Sequence, residues 1–154
     1  MAIFVSSILL FIIDRITKAF ALKMSSKIVI SPFLTISLTR NYGISFGLFS
    51  GYSGIIFWVT LIACILLVFY SIFLKQGSPL FKIGIGLFIG GAISNLFDRA
   101  IYSFVIDFIS IGIGNLRWPT FNLADCGIVT GAMLIILRKN LTSKVKGSNN
   151  LFIF

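Results

Sequence analysis

The run Ile55-Ile56-Phe57-Trp58-Val59-Thr60-Leu61-Ile62-Ala63-Cys64-Ile65-Leu66-Leu67-Val68-Phe69-Tyr70-Ser71-Ile72-Phe73-Leu74 decides the fold class. It carries no charge and has the length a helix needs to cross a hydrocarbon core of about 30 Å. A barrel strand would alternate apolar and polar residues over about ten positions, and this run does not alternate. The rest of the 154-residue chain has the same character: 58% hydrophobic, 11% charged, mean hydropathy +1.07. Soluble domains are about 25% charged, so an ordinary soluble enzyme and a disordered chain are both excluded. The net charge of +9 comes from 13 Lys and Arg against four acids. The bases are scattered at the ends of apolar runs, which fits anchoring beside anionic headgroups better than nucleic-acid binding.

The expected architecture is an all-α membrane protein of one domain, with four transmembrane helices and a small extracytoplasmic β-sheet cradle. The spans are placed at about 2–22, 54–74, 80–97 and 121–137, with outer segments at 23–53 and 98–120. Ala19-Phe20-Ala21 resembles a signal-peptide cleavage site. The missing basic start and the intervening Asp14, Arg15 and Lys18 favour a retained span instead. Between Lys27 and Thr39, the alternation Thr35-Ile36-Ser37-Leu38-Thr39 reads as one or two short strands at the membrane surface. Gly86-x-x-x-Gly90 would let a neighbouring helix approach closely. Two compact clusters of bases, Lys75 to Lys82 and Arg138 to Lys146, hold no acid. By the positive-inside rule they put both termini in the cytoplasm.

The chain has no His, and all four acids are Asp. Ser-His-Asp catalysis and His-based zinc sites are therefore ruled out. Cys64 and Cys126 are expected as buried small hydrophobes. Any acid–base chemistry must use Asp14, Asp98, Asp107 and Asp125. A helical rise of 1.5 Å per residue brings Asp14, Asp98 and Asp125 to one level near the outer third of the bilayer, and Asp107 can return to it. Ionisable groups at such depth cost roughly 2.5 to 3.5 kcal/mol and are functional candidates. Asp14 has Lys18 one turn on and Arg15 beside it, and Asp98 is followed by Arg99, which suits charged anchors. Asp107 and Asp125 lie among apolar neighbours with no base nearby. Such a pair would share one proton, one member activating water and the other polarising a carbonyl. On these residues alone, aspartyl hydrolysis and proton or ion transport remain comparable readings.

Five blocks then appear in order. They are Asp14-Arg15-Ile16-Thr17-Lys18, Asn41-Tyr42-Gly43-Ile44-Ser45-Phe46-Gly47, Gly90-Gly91-Ala92-Ile93-Ser94-Asn95-Leu96-Phe97-Asp98-Arg99, Val105-Ile106-Asp107-Phe108, and Pro119-Thr120-Phe121-Asn122-Leu123-Ala124-Asp125. With them the chain resembles the bacterial lipoprotein signal peptidases (signal peptidase II) over nearly its whole length. The resemblance implies an aspartyl endopeptidase of the bacterial cytoplasmic membrane. It would cut the signal peptide from diacylglyceryl-modified prolipoproteins just before the lipidated Cys, and globomycin would inhibit it. The family's catalytic pair matches Asp107 and Asp125. Its other polar positions match Asp14, Lys18, Asn41, Asn95, Asp98, Arg99 and Asn122, and the 23–53 segment would form the sheet that cradles substrate.

Arg15 stands where the family commonly has Gln, Ile44 where a small residue is usual, and Ser94 where Gly is frequent. Blander roles stand beside the site roles. The asparagines could satisfy backbone groups where helices break. Gly43 and Gly47 could serve only tight turns, Arg99 could anchor Asp98, and Lys18 would neutralise Asp14 without doing chemistry. Trp118 and Tyr102 read as interfacial anchors. No cofactor or metal is expected. The expected partners are a lipidated prolipoprotein, membrane lipid and globomycin, with a monomer and no nucleic acid. The alternative function is a small proton-coupled transporter using the same buried Asp residues, and a non-catalytic scaffold is a third reading.

Overall fold

The protein was analysed as a computed structural model, which describes residues 1–44, 48–73, 77–114 and 116–148, with side chains of the last helix described as far as Leu137. Expectations placed on residues 45–47, 74–76 and 149–154, including the role of Gly47, lie outside the described residues.

Four helices carry a small antiparallel sheet: α1 (Ala2–Leu22), β1 (Ile28–Val29), β2 (Leu34–Asn41), α2 (Ser53–Phe73), α3 (Pro79–Tyr102), β3 (Val105–Ile113), β4 (Leu116–Arg117) and α4 (Leu123–Ser148). Among the described residues, two helical stretches are long and apolar enough to cross a membrane, Ser50–Phe73 and Pro79–Tyr102, and Leu123–Leu137 is a shorter apolar stretch. The first helix is as long as α2 but carries Asp14, Arg15 and Lys18. The fourth keeps its helical backbone to Ser148, beyond the apolar stretch ending at Leu137. No Gly or Pro falls between Ala132 and Lys146 to stop it.

Helix α3 is the centre of the bundle. Its start is built by Ser78, whose hydroxyl accepts from the Phe81 N–H at 3.3 Å, with Pro79 at the first helical position. Its glycines then admit two neighbours at backbone distance. A Cβ on Gly86 would collide with Ser6 and the Ile3 carbonyl of α1, and one on Gly90 would sit 2.5 Å from the Ser7 carbonyl oxygen. On another face, Gly84 and Gly91 meet the Gly131 and Ala124 carbonyls of α4. Gly86-x-x-x-Gly90 therefore does admit a close helix. Gly90→Val is expected to cost about 3 kcal/mol, because backbone rather than a movable side chain occupies the space. Thermal melting in detergent should show the loss, with Gly54→Ala, where nothing lies within 4 Å, as the neutral control.

Helix α2 is held far more lightly. Cys64 is its only buried residue, packed with Ala92 and Leu96 of α3. Trp58, Val59, Leu66, Phe69 and Phe73 are all well over half exposed, an apolar surface of the kind that a membrane or a partner covers.

The sheet has the order β1-β2-β3-β4. The 23–53 segment contributes only two of its strands. β3 and β4 come from the 98–120 segment, so the expectation that 23–53 alone forms the sheet is corrected. The reason is local: β3 begins Val105-Ile106-Asp107-Phe108 with all four residues buried, and a strand covered on both faces shows no alternation to read. Ile106 and Phe108 form a core with Ala21 of α1, against which Ile36, Leu38 and Leu123 pack. The sheet is thereby fixed to the C-terminal end of α1 and the N-terminal end of α4.

Candidate active site

The four carboxylates divide into two pairs. Asp14 and Asp98 are wholly buried and belong to an ion cluster with Lys18 and Arg15. The Lys18 ammonium lies 2.8 Å from an oxygen of each, and Arg15 donates to Asp98 at 2.6 Å. Asp14 also accepts from the Ser94 hydroxyl at 2.6 Å and the Ala124 N–H at 2.9 Å, and Asp98 from the Ile106 N–H at 3.2 Å. The cluster thus joins α1, α3, β3 and the first turn of α4 with two charges of each sign. Lys18 does neutralise Asp14, and it is shared with Asp98. Arg99 is not the partner of Asp98; its guanidinium instead donates to the Gly43 carbonyl at 2.9 Å. Each departure from the usual family residues has a place here. Arg15 binds Asp98, Ser94 binds Asp14, and the Ile44 N–H donates to the Leu48 carbonyl at 2.9 Å.

Asp107 and Asp125 come together by a different route. Strand β3 carries Asp107, and on one side it pairs with β2 through Thr39↔Asp107 and Asn41↔Val105. A register shift lies between Ile36↔Ile109 and Thr39↔Asp107, which leaves one extra residue in β2. Without that bulge, alternation would set Leu38 opposite Asp107 and put Arg40 on its face. With it, Asn41 becomes the diagonal neighbour, and its amide donates to Asp107 Oδ2 at 2.9 Å. On the other side of β3 the chain returns through Phe121, whose N–H donates to the Ile109 carbonyl at 3.0 Å. That return delivers Asn122 to the start of α4.

Asn122 and Asp125 form a capping box. The Asn122 side-chain oxygen accepts from the Asp125 N–H at 2.9 Å, and Asp125 Oδ2 accepts from the Asn122 N–H at 3.2 Å. With its oxygen engaged by a backbone donor, the Asn122 amide presents its NH2 to Asp107 Oδ1 at 2.7 Å. Asn41 is oriented likewise, its oxygen accepting from the Gly43 N–H at 2.9 Å. Asn95 donates to Asp125 Oδ1 at 2.8 Å. Both carboxylates are therefore aimed by amides from three elements. Burial first, then the neighbouring Asp125 charge, pushes the Asp107 carboxyl up to about 7, against the pull of Asn41 and Asn122.

All ten residues singled out from sequence are thus placed: Asn41, Asn95, Asn122, Asp107 and Asp125 in one network, Gly43 and Arg99 bracing it, and Asp14, Lys18 and Asp98 behind it. Sequence reasoning missed Thr39, the cross-strand partner of Asp107. It also missed Arg15 as a partner of Asp98, although one helical turn past Phe11 puts Arg15 against Phe97, 5.0 Å from its ring centre. Asp125, with Asn41, Asn95 and Arg99, opens on a cleft of about 660 Å³ with largely apolar walls. Ile56 and Thr60 of α2, Ala92 of α3, and Ile128 and Val129 of α4 line it, with Trp118 on the wall that the 118–121 segment supplies. Trp118 is therefore a cleft residue as well as an exposed one, while Tyr102 stacks on Phe104. Cys126 also lines the cleft and is exposed, unlike the buried Cys64. One step along a helix turns the side chain by about 100°, so Cys126 faces the cleft while Ala124 and Gly127 face the bundle.

Residues 6–140 match a family model described as signal peptidase (SPase) II. The lipoprotein signal peptidase of Syntrophomonas wolfei subsp. wolfei is 39% identical over 148 residues, covering 94% of this chain and 96% of that one. The lipoprotein signal peptidase of Clostridium novyi is 37% identical over 131 residues, covering 82% and 88%. A solved structure described as a bacterial membrane enzyme superposes with a TM-score of 0.76 at 31% identity, covering 95% of this chain and 88% of that one.

Proposed function

The chain belongs to the signal peptidase II family, and on that premise we propose that Asp107 and Asp125 form an aspartyl dyad that removes signal peptides from diacylglyceryl-modified prolipoproteins, cutting before the lipidated Cys. The observation that carries the reading is the convergence of these two carboxylates, one from β3 and one from the first turn of α4, on the shared Asn122, with Asp125 lining an apolar cleft. The substrate's signal helix would enter laterally between α2 and α4, which share the cleft wall, and leave its acyl chains in the bilayer. α2 is the element best able to give way, since it buries only Cys64. The dyad shares one proton. Its ionised member takes a proton from water, the water attacks the scissile carbonyl, and the neutral member supports the gem-diol until the proton returns to the leaving amine. All four helices span the cytoplasmic membrane with both termini inside, and the dyad lies near the outer leaflet. The enzyme acts as a monomer, and globomycin occupies the same cleft. The transporter reading finds no support in the family membership.

The deciding experiment is cleavage of a diacylglyceryl-modified prolipoprotein by the purified protein, beside the unlipidated form and with globomycin. Cleavage at the lipidated Cys alone, blocked by globomycin, is expected. Equal cleavage of the unlipidated substrate would sink the lipoprotein assignment.

Two further results are expected. Asp107 has a raised folded pKa, so its contribution to stability is complete below the unfolded value near 3.9 and is lost as pH rises through about 7. The melting temperature should therefore fall between about pH 4 and 7 and level off above, and Asp107→Asn should flatten that dependence. Cleavage should decline as pH rises through about 7, as the dyad gives up its shared proton. Separately, a bulky methanethiosulfonate reagent should inactivate the enzyme through Cys126 while globomycin protects it. Cys126→Ser should stay active and resist the reagent, and persistent inactivation of that variant would place the sensitive group elsewhere.

A further inference from the structure

Lys18 has three N–H bonds, and the structure supplies three acceptors for them: Asp14 Oδ2 at 2.8 Å, Asp98 Oδ2 at 2.8 Å and Asn95 Oδ1 at 2.9 Å. The first two neutralise charge. The third goes to an uncharged side chain on the path to the dyad, and charge balance alone does not call for it. An ammonium donates and cannot accept. The Asn95 amide must therefore turn its oxygen towards Lys18, and its NH2 then faces Asp125 Oδ1 at 2.8 Å. The reverse orientation would set an NH2 against the ammonium and an amide oxygen against a carboxylate, two repulsive contacts in a buried site. The same Asn95 oxygen also accepts from the Asn122 amide at 3.2 Å, and Asn122 donates to Asp107. One buried cation thus sets the polarity of the hydrogen bond reaching Asp125, and it agrees with the orientation of Asn122 that the Asp125 N–H already fixes.

We propose that Lys18 is a positioning residue for the dyad, acting through the orientation of Asn95 and resting on the dyad assignment above. Arg15 makes this possible. Two buried carboxylates facing one Lys would leave a net negative charge behind the site. The Arg15 guanidinium, 2.6 Å from Asp98 and 3.8 Å from Asp14, balances the cluster so that Lys18 keeps a hydrogen free for Asn95. The charged groups facing Lys18 are Asp14 and Arg15 on α1 and Asp98 on α3. Those facing the dyad are Lys18, Arg99 and, towards Asp125, Asp14. Removing Lys18 therefore takes a positive charge from behind the dyad as well as a donor from Asn95.

The test must separate positioning from simple charge balance. The double variant Lys18→Met with Asp98→Asn removes one cation and one anion, leaving Asp14 paired with Arg15. Melting in detergent reports whether it folds, and cleavage of a diacylglyceryl-modified lipopeptide reports function. For the folded double variant, kcat is expected to fall at least about tenfold with KM little changed. The alkaline limb of its pH profile should move upward, since a dyad without the nearby cation keeps its proton to higher pH. Lys18→Arg, which retains both charge and donor, should restore most of kcat. A folded double variant with wild-type kcat and pH profile would overturn the proposal.

Should the double variant not fold, Asn95→Asp gives the same readout with every ion pair intact. Lys18 would hold the new carboxylate and leave Asp125 Oδ1 with no donor from position 95. Activity should be low at neutral pH and recover on acidification, as the new carboxyl gains a proton to donate. Wild-type activity at neutral pH would refute the relay. Complete absence of cleavage in the unmodified protein would instead overturn the dyad assignment itself, which keeps the two failures apart.

Discussion

Asp107→Asn and Asp125→Asn are each expected to lower kcat for lipopeptide cleavage at least about a thousand-fold while leaving a folded protein. Asn is close to Asp in shape, so packing around β3 and the first turn of α4 is preserved, although it keeps one acceptor where Asp107 serves Asn41 and Asn122 and Asp125 serves Asn95 and the Asn122 N–H. What disappears is the shared proton. An amide can neither take a proton from water nor donate one to the gem-diol as a carboxyl does. Relative to wild type, Asp107→Asn should also melt higher at pH 8 than at pH 5, because an amide replaces a carboxyl that burial holds protonated up to about 7. A gain in stability with loss of turnover is what an active-site carboxylate predicts, and a structural one predicts the reverse. Turnover near wild type in either variant would move the chemistry to another pair.

Asp98→Ala should produce that reverse. It leaves Lys18 and Arg15, both within 2.8 Å of Asp98 in the wild type, sharing Asp14 alone. It also removes the acceptor of the Ile106 N–H. Breaking a buried ion pair from one side typically costs about 3 to 5 kcal/mol, a large share of the margin by which a domain this size folds. The expected result is a strongly lowered melting temperature and poor accumulation in the membrane. Lys18→Met added to Asp98→Asn should recover much of the stability but little of the turnover. Asp98→Ala melting like wild type would mean that the cluster contributes nothing to holding α1, α3 and β3 together.

The two pairs of carboxylates mark how far residues could be read without coordinates. Neighbouring bases separated Asp14 and Asp98 from Asp107 and Asp125, and the structure divides them the same way. The cation of Asp98 was misread where sequence adjacency was taken for contact, whereas the preferred role of Arg99, holding the loop beside the carboxylates, agrees with its bond to Gly43. Arg99 follows Asp98, but consecutive residues on a helix point about 100° apart. Arg99 turns to the Gly43 carbonyl, and Asp98 takes its cations from α1. Cys126 was misplaced for a similar reason: an apolar neighbourhood in sequence does not say which helix face meets α3.

Composition and periodicity determined that the chain is a bundle of apolar helices with a small surface sheet. Burial of apolar residues follows from local sequence, and the bilayer's thickness supplies the ruler. Motif order determined the family. The tertiary structure alone decided how Asp107 meets Asp125. That meeting depends on one extra residue in β2, on the return of the chain through Phe121 along β3, and on a capping box that fixes Asp125 at the start of α4. Each is a pairing between segments far apart in sequence, set by hydrogen-bond register and by which buried polar groups find partners. No local pattern encodes such pairings, because a shift of one residue in β2 would leave its composition unchanged and turn Arg40 towards Asp107.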